Sequence, residues 1–404
     1  MTWVWPDFAG GETRDILIEG AGLQSSNCTI ITSPVKTGTG ALQIASGQTA
    51  GAVFAGDDLT AAQHKARISV VECQVNFDGN PTSAIGLISG NAHGAHYLEV
   101  GTDRRVRIGR FLTLAEGGGG WANRIPLTPW SVGVLGNGAY THLVWVIDCL
   151  TLGSNHVWMT VIIDGITQIA QDVGAWVSTD NFGWRVGTFG IDAGIAIRLD
   201  DVCGGTSTSA ADAPHLAALP IALVDAQHPA TDTGASLTWT RYPGTGESYY
   251  QDWDDATGND GDTTCLAINS ASTAIQTSGM ETLATLGWAA GAVILENGTG
   301  VGPLWSVVHN SVSVNKFTCN AYSTLSADVT VTKPGSTYEG KGLRLTRSGG
   351  GSWARADLDS IFAGGKNVST DGEWRITSLM LQWLYSEASL ALTPRPTMAQ
   401  ATII

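Results

Sequence analysis

The stretch that decides the fold class is residues 156–170, which read His-Val-Trp-Met-Thr-Val-Ile-Ile-Asp-Gly-Ile-Thr-Gln-Ile-Ala. Two runs rich in β-branched residues flank Asp164-Gly165, and an Asp-Gly pair in that setting is a strong signal for a two-residue β-hairpin. The type I′ turn that it favours needs a positive φ at both central residues, which Asp and Gly tolerate. The sequence therefore predicts an antiparallel hairpin with strands His156–Ile163 and Ile166–Ala170.

Similar strand-like runs lie on both sides of this hairpin. They are roughly 8–15 residues apart, which is the spacing of a β-sandwich. The predicted strands are Ile68–Val75, Arg105–Leu112, Leu143–Cys149, Phe182–Phe189 and Ile195–Val202. Residues 1–203 are therefore predicted to form one sandwich domain.

The second half predicts another sandwich, over residues 215–385, after a small polar linker at 204–214. One short helix is expected near 353–363, with Ser352 as N-cap, apolar residues at Leu358, Ile361 and Phe362, and Gly364-Gly365 as the stop. The tail, 386–404, is either an arm that docks on a neighbour or a loose end. The strands expected here are Ile221–Asp225, Ala292–Glu296, Leu304–His309, Val329–Thr332, Leu343–Thr346 and Arg375–Tyr385.

The composition supports an all-β chain with two jelly-roll-like sandwich domains. Of the 404 residues 43% are apolar and only 14% are charged, and Gly (51) and Trp (15) are abundant. Short strands and tight turns have this composition, while runs of Leu, Glu and Lys at helical spacing are almost absent. The low charge content also favours subunit contact, so we predict a homo-oligomer.

The charge pattern argues against nucleic acid, because the net charge is −15 and phosphate binding needs clustered Lys and Arg. The densest basic patch alternates with apolar residues and is interpreted as a solvated strand face; it comprises Arg104, Arg105, Arg107 and Arg110. No run is long enough for a membrane span, and the first residues do not form a signal peptide. The six cysteines lack metal-ligand spacing and are interpreted as buried free thiols.

Several segments together resemble a family of tailed-bacteriophage structural proteins that begin with a laminin-G-like (concanavalin-A-like) sandwich. In chain order these segments are Trp5–Phe8, Val106–Arg110, Tyr140–Ile147, Val157–Gly165, Asp200–Val202, Tyr249–Thr264 and Gly350–Lys366. The resemblance implies a laminin-G-like first domain. It also implies a virion protein, assembled in the host cytoplasm, with no catalytic residues to carry over and with other virion proteins as partners.

The function expected from this resemblance is that of a non-enzymatic component of the tail, neck or capsid surface, without a cofactor. Two alternatives remain open. The first is an adhesin that binds a host surface polysaccharide through the laminin-G-like domain, and the second is a polysaccharide depolymerase. A glycoside hydrolase would need a pair of carboxylates on one strand face, and Glu72 stands without an acidic neighbour in its strand.

Three kinds of candidate site follow from the residues. Trp121, Trp130 and Trp176 lie in loop-like sequence and could stack on sugars, whereas Trp145, Trp158 and Trp383 fall on strands and are expected in the core. Asp200 and Asp201 could hold a metal only with a bulge, so one is expected to cap a loop and the other to be solvated. Weak metal candidates in an acidic loop are Asp252, Asp254, Asp255, Asp260 and Asp262, although the loop does not match an EF-hand.

Overall fold

The computed structural model describes residues 2–4, 28–37, 41–48, 68–89, 96–111, 121–152, 156–175, 185–189, 193–207, 223–232, 240–242, 265–268, 275–295, 301–311, 318–323, 326, 329–332, 339–367 and 374–386. The strands of the first half are β1 Thr2–Val4, β2 Cys28–Ile31, β3 Ala41–Ile44, β4 Ile68–Phe77, β5 Ile85–Ser89, β6 His96–Val100, β7 Val106–Phe111, β8 Arg124–Pro126, β9 Thr141–Asp148, β10 His156–Ile163, β11 Ile166–Ala175, β12 Arg185–Phe189 and β13 Ile197–Ser207. A single 3₁₀ turn, Trp121–Asn123, precedes β8.

The strands of the second half are β14 Leu223–Gln227, β15 Pro229–Thr231, β16 Thr240–Tyr242, β17 Cys265–Ile268, β18 Ile275–Met280, β19 Val293–Ile294, β20 Val301–Ser311, β21 Thr318–Ser323, β22 Val329–Thr332, β23 Glu339–Thr346, β24 Phe362–Asn367 and β25 Trp374–Ser386. The described part of this half also contains two short helices, α1 Leu283–Leu286 and α2 Arg355–Leu358.

The first half forms two antiparallel sheets that share one core. The eight-stranded sheet has the order β11-β10-β9-β4-β13-β3-β2, with β1 paired to β13, and the five-stranded sheet has the order β12-β5-β6-β7-β8. Val71 and Trp145 from the larger sheet join Leu98 and Ile108 from the smaller sheet in one buried apolar cluster. Two sheets that share a core are a β-sandwich, so the predicted fold of this half is confirmed.

The second half repeats this architecture with a smaller core. A seven-stranded sheet contains β16-β17-β25-β20-β23, with β14 and β19 paired to β25, and a five-stranded sheet has the order β15-β18-β24-β21-β22. Leu379 and Trp383 of the first sheet pack in one cluster with Met280 and Ala363 of the second. The two halves touch, because Leu384 of β25 belongs to the core cluster of the first half.

The predicted hairpin forms as expected. Asp164 has φ 45° and Gly165 has φ 77°, and Ile163 pairs with Ile166 across the turn. The turn is also tied to β9, because the backbone of His142 donates to Asp164 Oδ1 and accepts from the backbone N–H of Asp164, both at 2.9 Å. The hairpin therefore fixes the position of the first residues of β9.

The first residues of the predicted linker are strand. Gly204–Ser207 continue β13 and pair with β4, because small residues without side-chain periodicity still supply the backbone hydrogen bonds of a ladder. Residues 208–214 and the tail beyond Ser386 lie outside the described residues. The domain limits otherwise stay a prediction.

The helix predicted at 353–363 is shorter than expected. It spans only Arg355–Leu358, and its N-cap is Ala354 rather than Ser352. Phe362 begins β24, in which Gly364 and Gly365 pair with strands on both sides instead of ending a helix. Leu358 and Ile361 have the spacing of a helical apolar stripe because both side chains are buried in the core, although only Leu358 is in the helix.

Helix α1 was not predicted from the sequence. Its N-cap Thr282 accepts from the backbone of Thr285, and Gly287 ends it in the left-handed conformation with φ 70°. Among the described helices, none is both long and apolar enough to cross a bilayer. Cys28, Cys73, Cys149 and Cys265 are thiols, and all but the half-buried Cys28 are buried.

Candidate functional site

A row of polar side chains lies on the outer face of the eight-stranded sheet. Side chains alternate along a strand, so Val71, Cys73 and Val75 of β4 face the core while Glu72, Gln74 and Asn76 face outward. The same alternation on β10 leaves Trp158 37% exposed, and this exposure identifies the outer face. The prediction that Trp158 is a core residue is therefore wrong. The three polar residues of β4 are nevertheless buried, at 0–3% exposure.

A histidine–glutamate pair marks the inner end of this polar row. His142 Nε2 lies 2.8 Å from Glu72 Oε2, and both side chains are almost fully buried. A carboxylate only accepts hydrogen bonds, so the neutral imidazole carries its proton on Nε2 and presents the lone pair of Nδ1. Nδ1 of His142 and Oε1 of Glu72 have no hydrogen-bond partner within the described ranges.

Asn76 is the second unusual member of the polar row. It is completely buried, and neither its amide nitrogen nor its amide oxygen has a hydrogen-bond partner in the part of the chain that the structure describes. A buried polar group without a partner costs about 1–3 kcal/mol, so natural proteins rarely keep one unless water or a ligand meets it. Four such atoms on Glu72, His142 and Asn76 therefore indicate a site.

The register of the sheet makes the polar row continuous. Gln74 stands opposite His142 of β9 on one side and opposite Asp200 of β13 on the other, and Asn76 stands opposite Arg198. Arg198 donates to Gln43 at 3.2 Å and to Asp78 at 3.4 Å. Its side chain is 13% exposed and that of Asp78 is 60% exposed, so the row reaches solvent at this end.

Asp200 and Asp201 close the polar row on its other side. A bulge lies between Asp200 and Cys203, Asp201 adopts φ 49°, and both carboxylates are buried. Asp200 accepts from the backbone of Lys36 at 2.7 Å, and Asp201 accepts from the Thr37 hydroxyl at 2.6 Å. Asp200 caps a loop as expected of one of the two, but neither residue is solvated, so the other half of that prediction is wrong.

The electrostatics of this pair are unusual. Burial raises the pKa of Asp200 well above its ordinary value, and the neighbouring charge of Asp201 adds to the rise against three backbone N–H donors. Burial likewise raises the pKa of Tyr140, whose hydroxyl donates to the Pro34 carbonyl at 2.9 Å. Tyr140 therefore stays protonated at neutral pH, two residues before His142.

A second polar cluster lies on the outer face of the five-stranded sheet. Glu99 is fully buried and accepts from Arg107 Nε at 2.5 Å and from Arg124 Nε at 2.9 Å. The guanidinium of Arg107 lies 4.1 Å from the Trp130 ring centroid, and that of Arg124 lies 4.4 Å from the Trp121 ring centroid.

This arrangement brings together two of the three predicted glycan-binding tryptophans. Trp121 and Trp130 are both partly exposed on one face, whereas Trp176 lies outside the described residues. Arg107 belongs to the basic patch that was interpreted as a solvated strand face. It does lie on the outer face, but its Nε pairs with Glu99 and its guanidinium lies against Trp130, so it is only partly exposed.

The structure does not test the acidic loop. Its five aspartates, Asp252, Asp254, Asp255, Asp260 and Asp262, lie outside the described residues. Among the residues that are described, no group of three or more His, Cys, Asp or Glu side chains is arranged to hold a metal ion.

Comparison with known proteins gives structural neighbours only. No protein-family model and no curated protein matches the chain. It is similar in structure to an endo-β-1,4-glucuronan lyase from the fungus Trichoderma reesei, with 14% identity, a TM-score of 0.34, and coverage of 46% of this chain and 90% of that one. An alginate lyase from Aplysia kurodai (12%, 0.34, covering 45% and 87%) and one from Chlorella virus (11%, 0.35, covering 46% and 91%) are also similar.

These neighbours correct the prediction of function. The expected non-enzymatic virion structural protein is contradicted, because the solved structures named above are polysaccharide lyases. At such identities and TM-scores the likeness extends to the β-sandwich fold alone, so the function has to be argued from the residues of the site.

The sequence contained a signal for the polar row that its analysis missed. Glu72, Gln74 and Asn76 occur at every second position, which places all three on one face of a strand. The predicted strand, Ile68–Val75, contains the first two, and β4 extends it to Phe77. Tyr140, just before β9, and His142, its second residue, repeat this spacing. What no pattern could supply is the pairing of β4 with β9, which brings His142 to Glu72.

Proposed function

We propose that this protein is a polysaccharide depolymerase that cleaves an acidic, uronate-containing glycan by β-elimination at the polar row of the eight-stranded sheet. The observation that carries the proposal is the buried His142–Glu72 pair. Among the described residues, neither His142 Nδ1 nor the amide of Asn76 on the same face has a hydrogen-bond partner. Such a set supplies both functions that elimination needs, a base and a group that neutralises a carboxylate.

The reaction assigns one role to each group. Hydrogen bonds from the Asn76 amide, with Arg198 beside it, stabilise the uronate carboxylate as negative charge develops there. His142 Nδ1 removes the C5 proton, its electron pair forms the C4–C5 double bond, and the C4–O bond to the next sugar breaks. The departing oxygen takes a proton from Tyr140, which burial keeps protonated. Glu72 stabilises the imidazolium that forms.

We infer that the substrate enters at the solvent-exposed end of the row. The row is closed around Glu72 and Gln74 but reaches solvent at Arg198 and Asp78. A sugar that enters at this end meets the guanidinium and the Asn76 amide before it reaches His142. Its hydroxyl and carboxylate groups would satisfy the polar atoms that have no partner in the described chain.

A matched pair of histidine variants tests the proposal. Wild type, His142→Gln and His156→Gln are incubated with alginate and with glucuronan, and ultraviolet absorbance records the unsaturated uronate ends. His156 lies on the same sheet but is half exposed and pairs with Asp172. We expect His142→Gln to lose at least about a hundredfold in rate, as is typical of a removed general base, and His156→Gln to keep wild-type activity.

An Asn76→Asp variant serves as a second test, because it places a like charge against the uronate carboxylate while it preserves side-chain size. We expect it to abolish cleavage and to retain the wild-type far-ultraviolet circular dichroism. The proposal fails if wild type forms no unsaturated ends from either polymer, or if His142→Gln cleaves as fast as wild type.

The other expectations from the sequence remain predictions. A virion location and homo-oligomeric assembly are both compatible with a depolymerase carried on a phage particle. Electron microscopy of particles labelled with an antibody to this chain would test the location.

A further inference from the structure

On the outer face of the five-stranded sheet, the positive charge of two arginines exceeds the negative charge of the one carboxylate that pairs with them. Among the described residues, Arg107 and Arg124 share one carboxylate, that of Glu99, a fully buried residue of β6. The whole chain has a net charge of −15, so this local excess stands against an acidic background. Local charge of this kind determines which ligands approach a surface.

The two arginines keep hydrogen-bond donors available. Among the described residues, Arg107 forms one hydrogen bond, from Nε to Glu99, so neither of its Nη groups is engaged. Arg124 uses Nε on Glu99 and Nη1 on the Trp121 carbonyl. Their side chains are 21% and 25% exposed, so these donors reach solvent.

The aromatic surroundings hold the arginines in fixed orientations. Trp130 lies against the Arg107 guanidinium and Trp121 against that of Arg124, and Trp121 also contacts Tyr97 with ring centroids 5.4 Å apart. Tyr97 lies over Gly109, where an added Cβ would come within 2.3 Å of its hydroxyl. The guanidiniums are therefore preorganised before any ligand arrives, which lowers the entropy cost of binding.

We infer that this face is a second carbohydrate-binding site, which takes the carboxylate of an acidic glycan on the Arg107 Nη groups and packs the sugar against the exposed parts of Trp130 and Trp121. A guanidinium fork matches a carboxylate in two-point geometry, and indole rings pack against sugar faces. The inference takes its substrate class from the proposed function. It places this contact on the sheet opposite the polar row, so a long polymer is held at one face while the other face acts.

Affinity electrophoresis through gels that contain alginate, with dextran gels as the neutral reference, measures this contact directly. We expect alginate to retard the wild type, with retardation falling as salt rises. Arg107→Gln and Trp130→Ala are expected to weaken the apparent affinity by about tenfold or more, the equivalent of one charge-assisted hydrogen bond. Arg107→Lys keeps the charge but loses the fork, so it should also bind more weakly.

Arg105→Gln is the matched control for charge. Arg105 adjoins β7, is about half exposed and pairs with Asp103, so its removal changes net charge equally and leaves the stacked arginines intact. We expect it to migrate like the wild type. Thermal unfolding of each variant separates loss of binding from loss of fold, and Trp130→Ala leaves the Arg107–Glu99 ion pair in place.

The outcomes distinguish this inference from the proposed function. If His142→Gln stops cleavage but keeps wild-type retardation, both ideas stand. If neither the wild type nor any variant cleaves, but Arg107→Gln and Trp130→Ala lose retardation while Arg105→Gln keeps it, the binding site stands and the proposed activity falls. Alginate retardation that is absent in wild type, or unchanged in both Arg107→Gln and Trp130→Ala, overturns the inference.

Discussion

His96 is the residue whose burial has the clearest consequence for pH dependence. It lies at the start of β6 with 1% exposure, and burial lowers its pKa to about 3, with the charge of Arg110 contributing in the same direction. The unfolded chain takes up a proton on this histidine below its ordinary pKa of 6.5, while the folded chain does not. Acid therefore draws the protein toward the unfolded state through the interval between 6.5 and about 3.

This linkage predicts the behaviour of a His96→Gln variant. Each pH unit inside that interval costs the wild type about 1.4 kcal/mol through this one group, and the variant lacks the cost. Urea unfolding at about pH 7 and about pH 5 should show the wild type losing roughly 1–2 kcal/mol more than His96→Gln. Equal losses in the two proteins would mean that His96 is protonated in the folded state.

Residue identity alone does not reveal how a side chain is used. Glu72 was correctly placed in a strand, but its role depends on His142, which is 70 positions later in the chain. Trp121 and Trp130 could be named as candidates from the sequence because the residues next to them are typical of loops. The arginines stacked on them could not, because alternation within a strand does not show what covers its outer face.

At the scale of elements, the β10–β11 hairpin positions His142, the residue proposed as the base. Asp164 in the turn forms two hydrogen bonds with the backbone of His142. Its carboxylate accepts from the His142 N–H, and its own backbone N–H donates to the His142 carbonyl. The positive φ of Asp164 suits Asp or Asn and disfavours Ala. The turn therefore acts on the polar row although it contributes no side chain to it.

We expect Asp164→Ala to destabilise the protein by about 1–2 kcal/mol, from the lost acceptor and the strained φ. It should also slow cleavage, because the His142 backbone loses a restraint. Asp164→Asn keeps the amide oxygen and tolerates the same φ, so it should restore both stability and rate. Chemical denaturation and the absorbance assay provide the two readouts, and an Asn variant as impaired as the Ala variant would refute this role for the turn.

Elements that depend on local chemistry were the ones predicted well. The hairpin follows from Asp-Gly, and β22 and β10 have the predicted limits. The helix near 353–363 was predicted too long, because core-facing Leu358 and Ile361 mimic a helical stripe where the chain passes from a short helix into β24. Gly204–Ser207 were predicted as linker because small residues give no periodic signal while β4 supplies the pairing.

At the scale of the whole molecule, the chain forms two sandwiches, and Leu384 of the second packs in the core cluster of the first. The first sandwich carries the polar row on its eight-stranded sheet. The arginines that lie against Trp121 and Trp130 are on the outer face of its five-stranded sheet. Composition and strand spacing predict this all-β architecture. They cannot predict the function, because function depends on which buried polar atoms the assembled sheets leave without partners.

The central claim is that the polar row cleaves acidic glycans by elimination, and the most direct test is product analysis in water enriched with heavy oxygen. Alginate or glucuronan is digested in that solvent and the fragments are weighed by mass spectrometry. Elimination adds no water, so the account predicts that wild-type products have unsaturated ends and contain no heavy oxygen. It also predicts that His142→Gln forms no such products. Saturated fragments that carry one heavy oxygen for each cut, or intact polymer after digestion by the wild type, would contradict it.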